Sequence, residues 1–164
     1  MESLLDTHCH VDGYSDPISV LDAAARAGVN VVAVTEDPGA YRRLRTRLGR
    51  RPGVQVALGL HPLRAAQVGQ ADLARFFRLL PQADWVGEVG LDFSRAGIAT
   101  RKEQLRVLDT ILADASALRR PITVHCRGAE RDTVAHLEQA KPAAAVLHWY
   151  TGDAAHLNVT TAAQ

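Results

Sequence analysis

Six short, apolar, β-rich runs alternate with longer Ala/Leu/Arg stretches along this chain, and that alternation constrains the fold more than any other feature. Short apolar runs separated by segments long enough to cross over are what repeated βα units of a parallel sheet require. The runs predict strands near 4–10, 29–35, 54–60, 85–91, 121–126 and 144–149, with helices near 17–28, 39–50, 64–80, 100–119 and 129–140 between them. Asp16-Pro17 reads as an N-cap followed by proline at the first helical position, and Gly28 and Gly49 would end the first two helices. Right-handed crossovers would wind these units into an open doubly wound sheet or into part of a closed barrel.

Periodicity does not choose between the two, but the polar residues do. His8 and His10 fall at the end of the first run, His61 just after the third, Glu88 and Asp92 in the fourth, His125 in the fifth and His148 in the sixth. In a (β/α)8 barrel all strand ends open onto one rim, where active sites are built, so groups scattered through the sequence would converge. The expected fold is therefore α/β, a TIM-barrel-like (β/α)8 hydrolase fold represented by about six βα units.

Composition narrows the class. The chain has 164 residues, one domain at roughly 150 residues each. It is 47% hydrophobic and 23% charged, enough to bury a core and unlike a disordered tail. Its 19 basic and 18 acidic residues leave +1, so bulk charge does not point to nucleic acid. Only Lys102 and Lys141 among the basic residues are lysine, which reads as coding bias. Cys9 and Cys126 are too few for a disulfide framework. Apolar runs such as Val29 to Val34 fall far short of the roughly 20 residues that cross a bilayer, and no basic, then apolar leader opens the chain. A cytoplasmic protein without a membrane partner is expected.

His8-Cys9-His10 is a His-x-His pair. Side chains alternate along a strand, so both imidazoles face one side and Cys9 the other. That suits two ligands on one zinc or manganese ion, although histidines two apart also arise by chance. Cys9 itself reads as a small apolar residue packed between strand and helix. Glu88 lies inside an apolar strand, where a carboxylate needs a metal, a cation or a proton. Gly87 and Gly90 would weaken that strand unless something approaches its backbone closely. Asp92, two pleats on, could share the Glu88 face or be a solvated loop acid.

His125 and His148 each end an apolar strand, where a lone histidine is ordinarily structural. Four histidines and a glutamate, all at predicted strand ends, instead suggest a two-metal site with mixed N and O ligands, able to acidify a water and clamp the oxygens of a phosphate ester. His61 and Arg127 are placed to meet a substrate phosphate, or simply to tie down loops. The six arginines between Tyr41 and Arg51 read as a solvated helix face or as a phosphate-backbone stripe. His136 and His156 are assigned no chemistry. No phosphate-cradling glycine loop and no Gly-x-Ser-x-Gly elbow follows any strand.

Asp6-Thr7-His8-Cys9-His10-Val11-Asp12, Gly59-Leu60-His61-Pro62, Gly87-Glu88-Val89-Gly90-Leu91-Asp92-Phe93, Val124-His125-Cys126-Arg127 and Leu147-His148-Trp149-Tyr150-Thr151-Gly152 resemble, in order and spacing, the TatD family of metal-dependent deoxyribonucleases, which are amidohydrolase-like barrels. The last block is most similar to the TatD-like member of the Qat antiphage system. The resemblance implies two divalent ions (Zn, Mn or Mg): His8 and His10 on one, Glu88 bridging, and His125 with His148 on the other. It implies DNA as substrate, His61 and Arg127 at its phosphate, and Glu88, His61 and Asp92 as the catalytic set. It also implies a further aspartate on a last barrel strand, with no counterpart in these 164 residues. A C-terminally truncated barrel over 1–152, an atypical tail over 153–164, and self-association or a partner covering open sheet edges are expected accordingly.

The leading expectation is a metal-dependent DNA phosphodiesterase that cuts DNA from an end through metal-activated water. A catalytically inactive remnant serving in binding or assembly is the alternative from another class. A hydrolase of a small cyclic amide or ester is a third, opposed by Glu88, where many such enzymes carry a modified lysine, and by Arg127 beside His125.

Overall fold

The computed structural model describes residues 4–153. The six runs form strands β1 (Leu4–Cys9), β2 (Val29–Ala33), β3 (Val54–Leu58), β4 (Trp85–Asp92), β5 (Pro121–Arg127) and β6 (Ala144–His148). All pairings are parallel and follow chain order, β1 to β6. The sheet curls: the imidazole of His8 on β1 stacks on that of His148 on β6, centroids 3.7 Å apart, although these strands stand at opposite ends of the order. That is the barrel-like curvature expected for the TIM type, over six βα units.

The helices are α1 (Pro17–Arg26), α2 (Pro38–Leu48), α3 (Gln70–Leu79), α4 (Arg101–Leu112), α5 (Ala115–Leu118) and α6 (Glu130–Ala140). The Asp16 carboxylate accepts from the amides of Ile18 at 3.1 Å and Ser19 at 3.2 Å, the N-cap that Asp16-Pro17 predicts. Two expected helices divide. The stretch 64–80 becomes a 3-10 turn (Pro62–Gln67) and then α3, because the Gly69 amide donates to Asp72 Oδ2 at 3.0 Å and starts a new helix. The stretch 100–119 breaks at Asp114, whose carboxylate takes the Ser116 and Ala117 amides at 2.8 and 3.0 Å and caps α5.

The main core lies between sheet and helices, with Leu21, Leu44, Leu58, Phe76, Leu108, Ile111 and Ile122 in contact as one cluster. A smaller cluster fills the concave side: Val32, Val34, Ala57 and Trp85, with Val146 against it. Along α2, Tyr41, Leu44 and Leu48 are buried while Arg42, Arg43 and Arg47 are exposed, so three of the six arginines line a solvated outer face. Arg45 is half-buried, donating to the Tyr41 hydroxyl at 2.8 Å. Among the described residues no helix is long and apolar enough to cross a membrane. Of the expected tail only Asp153 is described; His156 lies outside the described residues.

Candidate metal centre

The C-terminal ends of the strands place the polar side chains. His8 is the penultimate residue of β1 and His10 follows its end; His61 follows β3; Glu88 and Asp92 lie on β4, His125 on β5 and His148 at the end of β6. The register pairs Gly90 with His125 and His125 with His148, aligning three neighbouring strands at one height. Gly90 has φ +136°, and a Cβ there would run into the backbone of His125; Gly87 has φ +147°, and a Cβ there would meet the Thr123 side chain. Only glycine lets β5 lie this close to β4. The two glycines that look like strand breakers in the sequence therefore bring His125 against Glu88.

Glu88 is 1% exposed. Its Oε2 is 3.1 Å from His10 Nε2, 3.4 Å from His8 Nε2 and 3.6 Å from His61 Nε2, and its Oε1 is 2.6 Å from His125 Nδ1. The other nitrogen of His125 lies 3.0 Å from Asp92 Oδ2, so this ring spans both carboxylates. The Nε2 atoms of His8 and His10 are 3.3 Å apart. Two compact trios result, His8/His10/Glu88 and His61/Glu88/His125, each with donor atoms within 4.8 Å of one another.

Burial alone would raise the Glu88 pKa, but hydrogen bonds from His10, His125 and His8 hold it far below the carboxylate range. Burial would lower His125; Glu88, then Asp92, outweigh it and leave it raised. The bond to Glu88 raises His10. Burial raises Asp92 less than the Ser94 hydroxyl, the Ser94 amide at 2.9 Å and His125 lower it. His61 and His148 are lowered, both by burial first. A buried anion with imidazole nitrogens converging on it, some basic and some held neutral, is a mixed N/O donor set of the kind that zinc and manganese accept. The residues thus fit a divalent cation.

His8, His10, His61, Glu88, Asp92 and His125 are brought together. His148 stands beside them rather than within either trio: its ring lies parallel to that of His8 and 6.2 Å from that of His125. Arg127 is on the rim, its guanidinium 4.3 Å above the centre of the Trp149 ring. His136, given no role by the sequence, pairs with Asp109 at 2.7 Å away from this centre.

Three residues were not singled out by sequence reasoning. Thr123 Oγ1 lies 2.7 Å from His8 Nδ1. With Nδ1–H donating to that hydroxyl, Nε2 keeps its lone pair on the Glu88 side. Gln104 is buried and brackets Asp92: its Oε1 accepts the Asp92 amide at 2.7 Å, and its Nε2 donates to the Asp92 carbonyl at 3.0 Å. Trp149 stands exposed at the rim. Only the apolar alternation of β5 hinted at Thr123, as the residue sharing a face with His125.

Comparison with known proteins adds three findings. The family model described as TatD related DNase matches residues 5–163. The chain is 34% identical to the deoxyribonuclease TATDN3 of Homo sapiens over 91% of its own length and 61% of that protein's, and 33% identical to the 3'-5' ssDNA/RNA exonuclease TatD of Pantoea vagans over 84% and 55%. Its fold superposes on the crystal structure of YJJV, a TatD homolog from Escherichia coli, with a TM-score of 0.76, 26% identity, and coverage of 92% of this chain and 61% of that one. The chain spans about 60% of the length of the curated relatives it matches.

Proposed function

The chain belongs to the family of TatD-related DNases, and from that premise we propose that it is a metal-dependent phosphodiesterase that hydrolyses DNA from an end. One observation carries the reading: buried Glu88 faces imidazole nitrogens delivered by β1, by the segment after β3 and by β5. In this proposal His8 and His10 hold one divalent cation, Glu88 bridges, His125 and His148 hold a second, and His61 and Arg127 meet the phosphate. Zinc, manganese and magnesium are the candidate ions, and a pair of them supplies Lewis acidity toward water and the phosphate oxygens. Glu88 stays ionised because the surrounding imidazoles oppose its burial. Asp92 holds His125 from the far side, while the two-pronged Gln104 contact fixes the Asp92 backbone.

The compact His61/Glu88/His125 trio favours a second assignment, in which His61 replaces His148 at the second cation. Metal content after dialysis, measured on His61→Ala, His148→Ala and Glu88→Ala, separates the two. The first assignment expects Glu88→Ala and His148→Ala to lose metal and His61→Ala to keep it; the second exchanges the histidines. Equal metal content in Glu88→Ala and His61→Ala contradicts a bridging Glu88 under the first. A folded, metal-loaded chain that cuts no DNA with manganese, magnesium or zinc overturns the activity itself.

The proposal extends to a cytoplasmic location, to self-association or a partner protein along the sheet edges, and, from the His148-Trp149-Tyr150-Thr151-Gly152 block, to antiphage defence. Plaque counts on cells with and without the gene test the last.

A further inference from the structure

We propose that Trp149 is a stacking platform for one unpaired nucleobase of the strand taken at this centre; the inference rests on the nuclease reading above. Trp149 directly follows His148, and half of its surface, 50%, is open to solvent. Its backbone is left-handed, φ +61°, a conformation a bulky residue adopts only when its surroundings hold it there. The Arg127 guanidinium covers the indole at 4.3 Å, and the rings of His125 and His148 meet it at steep angles, 63° and 71°, with centroids 5.8 and 5.9 Å away. The indole is thus braced at the edge of the candidate metal centre instead of tucked into the core.

An exposed, braced indole beside a cation is the combination that takes a base on its face and a phosphate on its neighbour. The Arg127 side chain makes no ion pair or hydrogen bond among the described residues, leaving its donors available to the phosphate next to the stacked base. In a duplex both faces of an internal base are already stacked, so the platform selects a strand whose bases are free.

The test uses the full chain and a phosphorothioate oligothymidylate, which resists cleavage, with binding read by anisotropy. Trp149→Ala is expected to weaken binding by about tenfold to a hundredfold, the usual cost of losing one aromatic partner for a base. Trp149→Phe should recover most of it, and a strand carrying abasic sites should bind wild type as weakly as it binds Trp149→Ala. Stacking should also quench the wild-type tryptophan fluorescence but not that of Trp149→Phe, which retains only buried Trp85. Unchanged binding by Trp149→Ala, tight binding of the abasic strand, or no binding by wild type overturns the platform. If binding follows the expected pattern but no cation supports cleavage, the nuclease reading fails and the platform stands. If DNA is cut and Trp149→Ala alters neither Kd nor KM, the reverse holds.

Discussion

Thr123→Val isolates one hydrogen bond to the candidate metal centre. Thr123 is fully buried, and its hydroxyl lies 2.7 Å from His8 Nδ1, while its methyl group faces Gly87. Valine keeps that methyl group and the β-branched shape of the strand but leaves Nδ1 without its partner. Removing one side of a buried hydrogen bond costs about 1–3 kcal/mol, so the metal-free protein should lose about that much in urea unfolding. Metal affinity should fall further than stability alone implies, because the free ring can turn to another partner, whereas a ligating ring must hold Nε2 toward Glu88. Loss of such a supporting contact typically weakens affinity by about 10- to 100-fold. Competition against a chelator of known affinity measures it directly. Thr123→Ser keeps the hydroxyl and drops the methyl group, so it should bind metal nearly as well as wild type. Wild-type affinity in Thr123→Val, or an equal loss in Thr123→Ser, would show that packing against Gly87 and not the hydrogen bond holds His8.

Gly90→Ala should fail to fold or lose well over the ~1–3 kcal/mol of a strained backbone, since its Cβ also meets the His125 backbone; Gly13→Ala, with nothing within 4 Å of its new Cβ, should unfold as wild type does. Tyr41 offers a pH dependence away from the metal centre: burial raises its pKa above the usual 10, against the lowering effect of Arg45, and its hydroxyl donates to the Gln82 carbonyl at 2.9 Å. Above pH 10 the unfolded chain loses this proton before the folded one does, so the Tyr41 contribution to folding stability should be flat below pH 10 and fall as pH rises toward the raised value. Urea midpoints between pH 8 and 11 measure this, and Tyr41→Phe, though less stable at pH 8, should have a shallower alkaline slope; an identical slope would refute the assignment.

The strands were legible because each is a short apolar run ended by a polar group, and all six appear within two residues of their expected limits. The unusual glycines of β4 were legible as a site signal because nothing in a buried strand favours glycine except close approach. What the sequence did not reveal is what distance along the chain conceals. Thr123 reaches His8 across 115 residues, and no local pattern marks the pair. Gln104 reads as an ordinary polar helix residue until the fold sets it over the end of β4. The division of the two long helices escaped notice for the opposite reason: Asp72 and Asp114 act locally, but a single carboxylate in a helical pattern serves as well on a solvated face as at a new N-terminus. His61 and His148 look alike in sequence, each at a strand end, and only the curvature of the sheet decides which imidazole faces Glu88.

The strict chain order of the sheet has a consequence for assembly. Every strand pairs with the one synthesised just before it, yet the His8–His148 stack joins positions 140 residues apart. His8, His10 and Glu88 are all available once β4 has been made, whereas His148 emerges 60 residues later. At about 5–20 residues per second that interval is about 3–12 s. The earliest of the two compact donor sets that a nascent chain can complete is therefore the His8/His10/Glu88 trio, with His125 and then His148 following as β5 and β6 are made.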